Sequence, residues 1–88
     1  MNARRVIVGV SWAATRERIA PVLVSLGYEV TFAESPAEVL ELSSTRTPLL
    51  VITDAEFMPL GGDELFVEWR EQLPDTPIVV LPDLRPAG

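Results

Sequence analysis

The feature that most constrains this chain is an alternation. Four short apolar runs, at residues 6–10, 28–32, 49–52 and 78–81, are separated by three segments with helical signals. The runs at 6–10, 49–52 and 78–81 are continuous and rich in Val, Ile and Leu, the mark of strands buried on both faces. The run at 28–32, Tyr-Glu-Val-Thr-Phe, alternates apolar with polar residues and predicts a sheet-edge strand with one wet face. A strand–helix order repeated through the whole chain predicts an α/β fold. It is a parallel four-stranded sheet with three helices and no internal repeat.

Local signals place the helices. Residues 13–26 carry Ile19, Val22, Leu23 and Leu26 at positions expected to share one buried face, and Gly27 follows as a stop. Pro21 lies inside this segment and removes one backbone donor, so a kink or a weak first half is expected. Ser35-Pro36-Ala37-Glu38 combines a serine cap, a proline at the first helical position and a glutamate able to bond back to the cap. The helix it opens is predicted to run to about Ser44, burying Val39, Leu40 and Leu42. A third helix over 63–73 is predicted to turn Leu65, Phe66, Trp69 and Leu73 inward. Pro74-Asp75-Thr76-Pro77 is a turn, and residues 83–88 read as a tail after a domain at 1–82.

Composition removes whole classes of chemistry. The chain has 88 residues, enough for one small domain. It contains no cysteine and no histidine, which excludes thiol catalysis, disulfides, imidazole acid–base chemistry and Cys/His metal sites. Thirteen acidic residues against seven basic ones give a net charge of −6, which repels nucleic-acid backbones. All seven basic residues are arginines. No apolar run approaches the roughly 20 residues of a membrane span, and the apolar stretch at 6–10 is too short for a secretion signal. A cytoplasmic protein with no nucleic-acid or membrane partner is expected.

Four stretches carry a family resemblance. They are LGYEV at 26–30, TPLLVITD at 47–54, MPLGGDEL at 58–65 and LPDTPIVVL at 73–81. In this order they resemble the receiver domain of bacterial response regulators, and they span nearly the whole chain. The resemblance implies a flavodoxin-like sheet, here in strand order 2-1-3-4, lacking the family's last strand and helices. It also implies that Asp54, which ends the strand at 49–52, stands at the phosphoacceptor position. Gly62 falls where the family's loop glycine stands, and Pro59 is displaced by one residue.

The rest of that family's working set does not carry over. Its acidic pair at the end of the first strand, which helps hold Mg²⁺, would fall at Val10 and Ser11. Its switch hydroxyl would fall at Pro82, and its lysine has no counterpart. Only Asp54 remains. A phosphoryl donor and Asp54 are both anionic, and two unit charges about 4 Å apart repel by roughly 1 to 4 kcal/mol unless a cation offsets them. Glu56 reads as a solvated loop residue rather than a replacement ligand. No cofactor, metal site or catalytic group is expected, and the chain is read as a non-enzyme. Gly61-Gly62 lacks the spacing of a nucleotide loop and reads as a turn needing positive φ. A cobalamin-type Asp-x-His-x-x-Gly pattern is absent, since Glu56 and Pro59 hold its places.

Two readings of function stand at this point. One is a degenerate, or pseudo-, receiver acting by protein–protein contact without Mg²⁺-dependent phosphorylation. The other is a phosphorylatable receiver, whole or fragmentary, accepting a phosphoryl group on Asp54. Asp54 also has a plain structural role open to it, accepting N–H bonds from the loop that follows. Trp69 reads as core, and Trp12 as a residue over the C-terminal end of the sheet.

Right-handed crossovers put the first helix on one face and the second and third on the other. Without a last helix, alternate apolar residues of 49–52 and 78–81 are expected to face water on the first helix's side. Each Leu or Ile left exposed forgoes about 1.5 to 3 kcal/mol. A homodimer or a protein partner across that bare face and the final strand's open edge is therefore expected.

Overall fold

In a computed structural model of the chain, residues 4–54, 56–57 and 63–82 are described, except for the Asp63 and Leu65 side chains. The Met58–Pro59 and Gly61–Gly62 features, the inward placement of Leu65 and the 83–88 tail lie outside them. The elements run β1 (Arg5–Gly9), α1 (Ala13–Ser25), β2 (Glu29–Phe32), α2 (Pro36–Thr45), β3 (Leu50–Asp54), α3 (Asp63–Gln72) and β4 (Ile78–Leu81). All strand pairs are parallel and the sheet order is β2-β1-β3-β4, as the alternation and the family resemblance predict. Register aligns Ile7 with Val51 and Val8 with Ile52 across the centre.

Each face of the sheet has its own core. On one face Val6, Val8, Val10 and Ile52 pack with Leu23 of α1, and Ile19, Tyr28, Val30, Leu50 and Leu81 flank them. On the other, Ile7 and Val51 pack with Ala33, Val39 of α2, Trp69 of α3 and Leu73 just after it. One helix above and two below is the arrangement that right-handed crossovers require. Trp69 is fully buried, and its indole N–H donates to the Pro36 carbonyl at 3.1 Å, so the core aromatic also ties α3 to the start of α2.

The helix ends follow the sequence with one adjustment. Gly27, at φ 90°, ends α1; its N–H reaches Val24 O and that of Tyr28 reaches Leu23 O, both at 3.0 Å, a Schellman closure. A side chain at Gly27 would be strained by that φ. Ser35 caps α2 by accepting from the Glu38 N–H, but Glu38 returns its bond to the N–H of Glu34, one residue before the cap. The helix assigned at 13–25 runs through Pro21 without interruption.

The buried stripe of α1 differs from the expected one. Thr15 and Leu23 are buried and Ile19 is half-buried, whereas Val22 and Leu26 are exposed. The true stripe is spaced at i, i+4 and i+8. It includes a threonine that an apolar count passes over, and Val22, Val24 and Leu26 leave the helix apolar around much of its girth. The bare sheet face is also narrower than expected. Ile52 is only 8% exposed, because it sits in the α1-side core with Leu23 and with Leu81 against it. Exposure falls instead on Leu49 (50%), just before β3, and on β4, where Val79 (41%) and Val80 (47%) lie on opposite faces of the last strand.

At the N-terminal end of β1, Arg5 is buried. Its guanidinium donates to the carbonyls of Leu42 (2.9 Å) and Arg46 (3.1 Å), and its Nε to Thr31 Oγ1. The arginine thereby supplies donors to carbonyls at the end of α2, where the Leu42 carbonyl also accepts from the Thr45 hydroxyl at 2.9 Å.

Candidate functional site

The C-terminal ends of parallel strands are where this class of sheet usually places its chemistry. Here β1 ends at Gly9, and Val10 and Ser11 follow before α1; β3 ends at Asp54, and the turn through Glu56 and Phe57 follows. Because Gly9 pairs with Thr53 across β1 and β3, these two exits lie side by side.

Asp54 is buried, at 7% exposure, and its carboxylate is held by three bonds. Oδ2 accepts from the Ser11 backbone N–H at 3.0 Å. Oδ1 accepts from the Ser11 hydroxyl at 3.0 Å and from the Phe57 N–H at 2.8 Å. The Phe57 N–H also lies 3.2 Å from the Asp54 carbonyl, so the same amide closes the turn. A buried carboxylate is tolerable only when so supplied with donors. Beneath it, the Phe57 ring lies over Gly9: a Cβ at Gly9 would come within 2.7 Å of the ring. The glycine lets the ring pack directly on the strand.

The sequence pattern puts Asp54 at this rim and leaves a loop-accepting role open to it; the Phe57 bond is of that kind. It did not find Ser11 as a partner. The two residues are 43 positions apart, and only the β1–β3 pairing brings them together. Trp12 follows Ser11 at the same end and is exposed; its carbonyl accepts from the N–H groups of Thr15 and Arg16 at the start of α1. Glu56 is exposed. Pro82 follows directly on β4 and has no hydroxyl to offer.

The residues present do not fit a divalent cation of the Mg²⁺ type, which needs several oxygen donors and favours carboxylates. Val10, at one of the two positions the resemblance assigns to acids, is buried in the α1-side core. Ser11, at the other, directs its N–H and its hydroxyl hydrogen onto Asp54, so both groups act as donors. Among the described residues, no three His, Cys, Asp or Glu side chains are grouped so as to hold a metal ion. Nor is any described helix long and apolar enough to cross a membrane.

No protein-family model matches the sequence, and no curated protein matches it. Similar solved structures do exist. One is NtrX from Brucella abortus, solved in complex with ATP: TM-score 0.74 and 27% identity over 92% of this chain and 18% of that one. Another is the signal receiver domain of an HD domain-containing protein from Pseudomonas fluorescens Pf-5: TM-score 0.75 and 26% identity over 94% of this chain and 69% of that one. The chain thus spans under a fifth of the first and about two thirds of the second. Strand order and the three helices agree with that likeness: this chain has the receiver-domain fold of two-component response regulators.

Proposed function

We propose that the chain is a degenerate receiver that works by binding another protein, or a second copy of itself, without Mg²⁺-dependent phosphorylation and without enzymatic activity of its own. The observation that carries this reading is the donor set on Asp54. A phosphoacceptor aspartate must keep an oxygen open to attack an incoming phosphorus, with a cation to neutralise the charge that gathers there. Here both oxygens of Asp54 are engaged by N–H and O–H donors, and the positions that would supply acidic ligands hold Val10 and Ser11. Such donors favour a resting carboxylate. They do not replace a metal as a bridge to a phosphoryl group.

The contact surface in this reading is β4 and its free edge. Val79 and Val80 expose one apolar side chain on each face, and among the described residues no strand pairs with the outer edge of β4. An apolar edge strand of this kind favours pairing with another chain. The cytoplasm, where receiver partners work, is the location that goes with it.

Titration with MgCl₂, followed by the amide resonances of Ser11 and Phe57 and by tryptophan fluorescence, tests the first half of the reading. No saturable change through the millimolar range is expected; a saturable shift centred on Ser11 and Asp54 would overturn it. Light scattering coupled to size exclusion tests the second half. Assembly above the monomer mass, or a defined complex with a protein partner, is expected. A monomer that binds nothing when presented with candidate signalling proteins of the same cell would contradict it.

A further inference from the structure

We infer that Ser11 is a positioning residue: through Asp54 it ties the loop after β1 to the turn after β3 and holds this end of the sheet in one geometry with no cation. The inference rests on the reading above that Asp54 is not a metal-dependent phosphoacceptor, and it assigns what the aspartate does instead.

Two contacts join the loops, and both run through residues already at the rim. The first is the carboxylate. Its Oδ1 is shared by the Ser11 hydroxyl and the Phe57 N–H, so those two donors, which lie on different loops, meet on one oxygen. Its Oδ2 takes the Ser11 N–H, so Ser11 grips the carboxylate at both oxygens and fixes its plane. The second contact is the Phe57 ring against Gly9, just before the Ser11 loop. An ionised carboxylate offers about four acceptor sites, and three bonds here use most of them. Charge-assisted bonds in a buried setting are the stronger kind. The turn after β3 is therefore tied to Ser11, 43 positions before Asp54 in sequence, acting through that aspartate.

Ser11→Ala isolates this coupling, because it removes the hydroxyl bond and keeps the backbone one. Ser11 Oγ does not bond to Phe57, and Ser11→Ala leaves Gly9 and the Phe57 ring unaltered, so an effect on the Phe57 amide reports the path through Asp54. Hydrogen exchange at that amide is expected to quicken by about five- to tenfold, the equivalent of losing one such bond. The Ile52 amide, inside β3, serves as the internal control and stays within about twofold. Ser11→Thr, which retains a hydroxyl, restores the native Phe57 rate. Asp54→Ala, which removes the side-chain acceptor of both amides, serves as the reference for the largest effect at Ser11 and Phe57.

If Ser11→Ala leaves Phe57 unchanged, the loops are not coupled and the inference is overturned. The Mg²⁺ titration separates this failure from that of the functional reading. A silent Ser11→Ala with no Mg²⁺ response removes the tie alone, whereas a saturable Mg²⁺ response in the native protein removes the reading on which it rests.

Discussion

The two ends of the sheet each bury one charged side chain, and they handle it in different ways. At the N-terminal end, the Arg5 guanidinium is satisfied by carbonyls at the end of α2 and by Thr31 of β2. At the C-terminal end, the Asp54 carboxylate is satisfied by donors from two loops, those of Ser11 and Phe57. Both charges are held by neutral dipoles, which is the requirement for burying a charge at modest cost. The difference lies in what holds them. Arg5 joins regular elements and closes a seam of the fold, whereas Asp54 joins connecting segments and sets the shape of a surface. The first arrangement ties a strand to the helix beside it, and the second fixes two loops at the C-terminal rim.

That contrast gives a ranking of effects. Arg5→Ala removes a donor from the Arg46 carbonyl and leaves the Leu42 carbonyl with the Thr45 hydroxyl alone, and it is expected to destabilise the domain by about 3 kcal/mol, a large share of the roughly 5 to 15 kcal/mol available to a domain. Chemical denaturation followed by far-ultraviolet circular dichroism measures it. A loss no larger than that of an exposed arginine such as Arg18 would erase the distinction between the two ends. Asp54→Ala comes next, at about 1 to 2 kcal/mol, because its former donors lie at the rim where water can reach them. In the same titration, a loss equal to that of Arg5→Ala would show that the rim is as structural as the seam.

Gly9→Ala sharpens the account of the rim without touching a charge. The added methyl would meet the Phe57 ring at 2.7 Å, so the ring must shift. Overpacking of this kind costs about 1 to 3 kcal/mol when the neighbours cannot yield. Here the ring belongs to a turn, and a loss near the low end of that range is expected, together with displaced ring-proton resonances of Phe57. Unmoved ring resonances would show that the ring does not hold the rim as described. The smallest effect is expected outside both ends. Val80→Thr on β4 leaves stability within about 0.5 kcal/mol, yet it weakens any assembly built on that edge, which light scattering reads as a shift toward monomer.

The same contrast explains what could be read from the sequence. The order of elements, the parallel sheet and Asp54 at a strand exit all follow from local patterns: β-branched runs, the Ser35-Pro36 helix start and the Gly27 stop. Trp69 was placed in the core by its spacing from Leu73, and there it lies. The roles of Arg5 and Ser11 were not legible. An arginine beside another arginine near a chain start looks solvated, and a serine after a strand looks like a loop residue. Each acquires its task from partners tens of residues away, at positions set only once β1 lies between β2 and β3. The face of α1 was misjudged for a related reason. Val22 and Leu26 resemble core residues in composition, but the helix lies on the sheet along Thr15, Ile19 and Leu23. An apolar count cannot choose between stripes on a helix that is apolar on several sides.

The central claim is that Asp54 is held by Ser11 and Phe57 in place of serving as a phosphoryl acceptor, and intact-mass spectrometry tests it most directly. The native protein and Asp54→Ala are incubated with acetyl phosphate and MgCl₂, beside a receiver that is known to accept phosphate from this donor. The account predicts that the native mass stays unchanged while the control gains one phosphoryl group. A native protein that gains that group, and loses the gain in Asp54→Ala, would contradict it.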